Sequence, residues 1–142
     1  MSHSLTRILV HAVFCTKFRN CWLYDSFRKE MHTKMKEIIE AEGGKLIIAG
    51  SVEDHIHLLI VLPPTRPVSH IMMMVKKESS KWIKERSGMT YFRWQNGYFA
   101  ASVEYKRYGG LIRYIQNQRQ HHRMISSEKE WQLLTHVTAM EP

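Results

Sequence analysis

Residues 45–62 read KLIIAGSVEDHIHLLIVL, two apolar runs of strand length separated by the acidic pair Glu53-Asp54. A link this short joins antiparallel neighbours. The second run opens with His55 and His57. On a strand, residues two apart point to the same side, so both imidazoles project together, roughly 6–7 Å apart at their backbones. Ile56, Leu58, Ile60 and Leu62 then face the other side, where the core is expected. A buried strand has no need of paired imidazoles. Such a pair can converge on one metal ion, although a pattern as short as H-x-H also arises in hydrogen-bonded core histidines. Two rings make an incomplete site, and a third ligand has to come from elsewhere.

Working outward, Phe27, Met31, Met35 and Ile38 recur at helical spacing between Asp25, read as the cap, and about Glu42. EGG (42–44) stops that helix. Residues 5–15 alternate, with Ile8, Val10, Ala12 and Phe14 on one face, and predict a first strand followed by the basic loop TKFRNC (16–21). On the other side, PPTRP (63–67) breaks the chain. A helix then carries Val68, Ile71, Met72, Val75, Ser79, Trp82 and Ile83 on one face, with Lys77, Lys81 and Lys84 opposite. SGMT (87–90) ends it. YFRWQNGYFAASVEY (91–105) reads as extended chain with a turn at Asn96-Gly97.

The order β-α-β-β-α-β predicts an α+β, ferredoxin-like fold with both crossover helices on one face of an antiparallel sheet. The opposite face is left for a ligand or an additional element, and His55 and His57 belong to it. After Gly109-Gly110 a further helix is expected over about 109–123, and a short last one over about 127–135. In the former, Leu111, Ile112 and Ile115 form the apolar stripe, while Tyr114, Gln118 and His121 share a more polar face.

The chain has 142 residues and no internal repeat or low-complexity tract, so one domain over 1–142 is expected, with its core over about 5–105. No apolar run reaches membrane-spanning length, and the alternating N-terminus reads as a strand rather than a signal peptide. Cys15 and Cys21 are too few for a disulfide framework and suggest free thiols in a cytoplasmic protein. Charge points further: 21 Lys and Arg against 13 Asp and Glu give a formal +8. Nucleic acid is the polyanion such a surface most often meets. Lys17, Arg19, Lys76, Lys77, Lys81 and Arg93 are the candidate phosphate contacts, each equally readable as solvated surface. Trp94, Tyr98 and Phe99 are open to base stacking, with core packing the more ordinary fate of such residues. His11, on the strand expected beside the histidine strand, reads as a core histidine or a support for the pair. Asp54 reads as a turn residue or an alternative metal ligand.

Several segments together resemble the single-tyrosine transposases of the HUH superfamily, the small insertion-sequence and repeat-associated enzymes. They are TKFR (16–19), GSVEDHIHLLI (50–60), KKESSKWI (76–83), WQNGY (94–98), YIQNQRQHH (114–122) and EKEWQLL (128–134). They run in the family's order over nearly the whole chain. One departure is Phe99-Ala100-Ala101-Ser102, where relatives often show Gly-Ala-Phe-Ser. The resemblance implies a metal-dependent transposase that cleaves and rejoins single-stranded, hairpin-bearing DNA through a 5′-phosphotyrosine. It makes Tyr114 the nucleophile and His55, His57 and Gln118 the ligands of Mg²⁺ or Mn²⁺; His121, on the same helix, reads separately as a DNA contact or a support of the site. Three neutral ligands would leave the cation its full charge for a phosphate oxygen. The resemblance also implies a homodimer, since excision needs two cleavages and each chain offers one nucleophile. Cis and trans placements of Tyr114 both stay open. Tyr105 and Tyr108 are weaker rivals, because neither has a ligand one turn on. Two other readings remain: a non-catalytic nucleic-acid-binding module on the same sheet, and a small metal hydrolase.

Overall fold

A computed structural model describes residues 5–117. Gln118, His121 and the helix expected over about 127–135 lie outside the described residues. The element order is β1 (Leu9–Cys15), a 3-10 turn (Lys17–Arg19), α1 (Asp25–Ala41), β2 (Lys45–Ser51), β3 (His55–Val61), α2 (Val68–Ser87) and β4 (Phe99–Ser102). A second 3-10 turn (Tyr105–Arg107) then leads into α3 (Tyr108–Gln116).

Among the described residues the strands form one four-stranded antiparallel sheet, ordered β2-β3-β1-β4. With α1 and α2 as crossovers, this is the ferredoxin-like arrangement expected from the alternation of periods. Strand parity builds the core. Ala12 and Phe14 on β1 and Ile56, Leu58 and Ile60 on β3 are all buried on the α1/α2 side. They meet Phe27, Met31, Met35 and Ile39 of α1 and Ile71, Met72, Val75 and Ile83 of α2. Fully burying one such side chain is worth about 1.5–3 kcal/mol, so this face dominates cohesion. Ser79 interrupts the stripe of α2 for a reason: its hydroxyl accepts from the Trp94 indole N–H at 3.0 Å.

Four boundaries differ from the sequence expectation. β1 begins at Leu9: Leu5 is fully exposed and Ile8 about half exposed, with only the Ile8 carbonyl still accepting from the Leu62 N–H at 2.8 Å. Asp25 is the first helical residue rather than the cap; the cap is Tyr24, and the Asp25 carboxylate pairs with Arg28. The last strand shrinks to Phe99–Ser102, since Phe92 and Trp94 are drawn into the core and Thr16–Trp94 makes only an isolated bridge. The third helix starts at Tyr108, taking Gly109 and Gly110 into its first turn.

The second face of the sheet is covered by α3. Leu9, Leu59 and Ile115 are its buried centre, with Ile48, Leu111, Ile112 and Tyr114 packed around them. Gly50 lets the helix approach. A Cβ there would collide with the Ile115 carbonyl oxygen and lie 2.7 Å from Ile115 Cγ2.

Candidate active site

The same parity that sends Ile56 and Leu58 into the core sends His55 and His57 to the face beneath α3. Both are buried, at 5% and 0% exposure. Their ring centroids lie 5.3 Å apart. Each ring is oriented by a neighbour through Nδ1. His55 Nδ1 lies 2.8 Å from Asp54 Oδ1, and His57 Nδ1 lies 2.9 Å from His11 Nε2. His11 reaches across because β1 pairs with β3 in a register that sets Val13 opposite His57 and His11 opposite Leu59. The His11 and His57 rings are also stacked, with centroids 5.1 Å apart. Asp54 therefore serves as a support of His55 in this arrangement.

Tyr114 completes the cluster from above. Its ring meets the His57 ring edge-on, with centroids 5.5 Å apart, within one chain. Tyr108 packs one and a half turns earlier against the Leu9–Leu59–Ile115 cluster.

Metal-binding imidazoles ordinarily give their second nitrogen to a carboxylate, carbonyl or similar partner, which fixes tautomer and ring orientation. Both rings here have that outer contact through Nδ1, so a cation would be met through Nε2, and His57 Nε2 is fully buried. The pair fits a divalent ion as two neutral donors. Among the described residues no group of three His, Cys, Asp or Glu side chains is arranged to hold one. A further donor of another type, or from outside these residues, is therefore required, and Gln118 is the sequence candidate.

The other candidates divide. Lys17 and Arg19 lie on the turn after β1, and Arg93 is exposed beside it, its carbonyl accepting from the Lys17 N–H at 3.0 Å. Lys77 and Lys81 are exposed on α2. Lys76 is different: its ammonium donates to the Gln95 and Gly97 carbonyls, both at 2.7 Å, and so braces the 95–97 turn. Burial pulls its pKa down. Trp94 and Phe99 are buried, as core packing requires, whereas Tyr98 is 36% exposed. Cys15 stands opposite His55 in register. Burial pushes its thiol above the ordinary range, against the opposing pull of Arg19, so it stays protonated at neutral pH. Both cysteines are free thiols.

A feature the sequence reading passed over is the backbone at Phe18 and Arg19, which is left-handed at both residues. Neither residue is a glycine or asparagine, so composition gave no signal for it.

A ferredoxin-like sheet with buried histidines beneath a tyrosine-bearing helix is the arrangement to set beside known proteins. The model of the IS200-like transposase family matches residues 4–118, and the chain belongs to that family. It is 27% identical over 130 residues to the transposase of insertion sequence element IS200 from Salmonella typhimurium, covering 87% of this chain and 85% of that one. The same values hold for the Salmonella typhi protein. Two solved structures share the fold. One, assigned as a transposase of Deinococcus radiodurans R1, superposes with a TM-score of 0.67 at 18% identity, over 83% of this chain and 95% of that one. The other, a REP-associated tyrosine transposase bound to a REP hairpin, gives 0.62 at 15% identity, over 88% and 76%. No helix among the described residues is long and apolar enough to cross a membrane.

Proposed function

We propose that this transposase cleaves and rejoins single-stranded DNA through a covalent link to Tyr114, with a divalent cation held by His55, His57 and Gln118. The observation that carries the reading is the edge-on meeting of the Tyr114 and His57 rings at 5.5 Å, beside a second imidazole 5.3 Å further on. A phenol and two imidazoles share one face of the sheet, which supports reading them as nucleophile and cation ligands.

The step is a transesterification. The Tyr114 phenol oxygen forms a bond to phosphorus, and the bond from phosphorus to the 3′ oxygen breaks. The phenol gives up a proton and the departing 3′ oxygen takes one up, so proton and charge balance. The products are a 5′-phosphotyrosine and a free 3′-hydroxyl. One phosphodiester replaces another, and rejoining needs no nucleotide triphosphate. A bound Mg²⁺ or Mn²⁺ would supply positive charge for the phosphate oxygens as the attack builds negative charge on them. The chain's own residues do the rest. Asp54 and His11 orient the two imidazoles through their Nδ1 atoms, and α3 keeps the phenol ring against that of His57.

DNA bearing a hairpin is the proposed substrate, supported by the hairpin complex of the REP-associated relative in fold and by the net charge of +8. Excision needs two cuts, so a homodimer acting on both ends is proposed. A prokaryotic cytoplasm, with its nucleoid, is the proposed setting.

The test is incubation of the full chain with Mn²⁺ and labelled single-stranded DNA, followed by denaturing electrophoresis. A covalent protein–DNA band that disappears on adding EDTA and in Tyr114→Phe is expected. DNA bound but never attached or cut would instead favour the non-catalytic module. Cut DNA with a free 5′-phosphate and no adduct would favour a metal hydrolase.

A further inference from the structure

The turn after β1 holds a conformation that chains avoid unless their surroundings impose it. Phe18 and Arg19 have φ of 56° and 55°, and left-handed backbone is costly for a bulky residue. Here the neighbours impose it. The Phe18 N–H donates to Gln95 Oε1 at 3.2 Å, and the Arg19 N–H donates to the Thr16 carbonyl at 3.0 Å. The Asn20 side chain donates to the Lys17 carbonyl at 2.8 Å.

The result is the reverse of core packing. Phe18 is 78% exposed, with Lys17 Nζ over its ring, 4.9 Å from the centroid. It forms one wall of a cleft of about 630 Å³, within the range that holds nucleotide-sized ligands. Cys15, Arg19, Gln95 and Asn96 line the same cleft. The cleft adjoins the histidine pair: Cys15 is the register partner of His55, and the Thr16 N–H donates to the Asp54 carbonyl at 2.9 Å.

Each component suits one ligand chemistry. An exposed ring offers a stacking surface for a base, and Arg19 and Lys17 offer positive charge for a phosphate. Gln95 and Asn96 offer side-chain amides for a base edge. Among the described residues no carboxylate lines the cleft. A paired base cannot turn its face to Phe18, because its faces are occupied by stacking within the duplex. We infer that this cleft binds one unpaired nucleotide of the DNA strand beside the candidate active site, its base stacked on Phe18 and its phosphate held by Lys17 and Arg19. The inference rests on the single-strand reading above and adds to it the place where the strand is gripped.

The test uses the full chain in EDTA, so that no cleavage enters, with fluorescein-labelled oligothymidylate followed by anisotropy. Phe18→Gly is the informative variant, since glycine takes left-handed φ without steric cost and should keep or raise the melting temperature. Its affinity for the oligonucleotide is expected to fall by about 5- to 150-fold, the usual weight of a base–aromatic stack. Phe18→Trp should bind as well as the parent or better, and fully duplex DNA should be bound equally by all three. Parent-like binding by Phe18→Gly, an equal loss for duplex DNA, or a loss that tracks a lowered melting temperature would each overturn the cleft. The outcome is separable from the strand-transfer proposal. A protein that forms the adduct but binds independently of Phe18 loses the cleft and keeps the chemistry. One that binds through Phe18 but forms no adduct keeps the cleft and loses the chemistry.

Discussion

Phe14 and Cys15 are neighbours on β1 yet enter different worlds. Phe14 is fully buried in an aromatic cluster, 4.7 Å from the Trp94 ring between centroids. Cys15 is half-buried, opposite a histidine, with Arg19 and Asp54 close enough to act on its thiol. The same division runs along the whole sheet. One face is closed by two long helices whose sheet-facing side chains are mostly apolar. The other is closed by the short α3 over an apolar centre of Leu9, Leu59 and Ile115, with a histidine cluster beside it. Stability and chemistry are thus segregated by strand parity, and the polar groups of the site are supported by a core they do not interrupt.

That contrast can be broken from either side. On the α1/α2 face, Phe14→Ala should cost about 3–5 kcal/mol, as truncation of a fully buried aromatic does. Urea unfolding followed by circular dichroism would read it as a lowered midpoint with unchanged slope.

A second test on that face uses pH. His32 of α1 lies 2.8 Å from Ser51 Oγ on β2. Burial, with Arg28 adding to it, lowers its pKa from 6.5 to about 4. The folded value lies below the unfolded one, so the unfolded chain takes up this proton first. The associated stability is intact above pH 6.5 and is lost progressively as pH falls toward 4. The loss is at most about 3 kcal/mol. His32→Gln should flatten the stability profile over that window, and an unchanged slope would refute the assignment.

On the opposite face, Gly50→Ala should have the smaller thermodynamic effect and the larger functional one. Its methyl group meets the Ile115 backbone, so α3 must move outward. A cost of about 1–3 kcal/mol is expected, as for other overpacked contacts. Faster hydrogen exchange should be confined to residues 108–117, while adduct formation falls. A globally destabilised sheet would show instead that the two faces are not independent.

How much of this could be read beforehand follows from which forces are local. Alternation in HIHLLIVL settled which side each imidazole takes, and helical spacing in FRKEMHTKM and VSHIMMMV settled the two packed helices. Which element covers the second face was left open, although the Leu111–Ile115 stripe marked the third helix as having an apolar side to bury. Its close docking was written only as Gly50 inside a strand, a signal of backbone approach that does not say which backbone. The shortening of β4 arose because Trp94 finds Ser79, fifteen residues back on α2, a contact no local pattern encodes. Lys76 looked like one more surface cation, until the turn at 95–97 folded over it and presented two carbonyls. The strained turn at Phe18 was invisible for the same reason, being set by bonds to residues 93 and 95.

The most direct measurement is to digest the Mn²⁺-dependent protein–DNA adduct and locate the attached nucleotide by mass spectrometry. The account predicts a 5′-phosphate on Tyr114 alone. Attachment at Tyr105 or Tyr108, or DNA cut with no modified peptide at all, would contradict it.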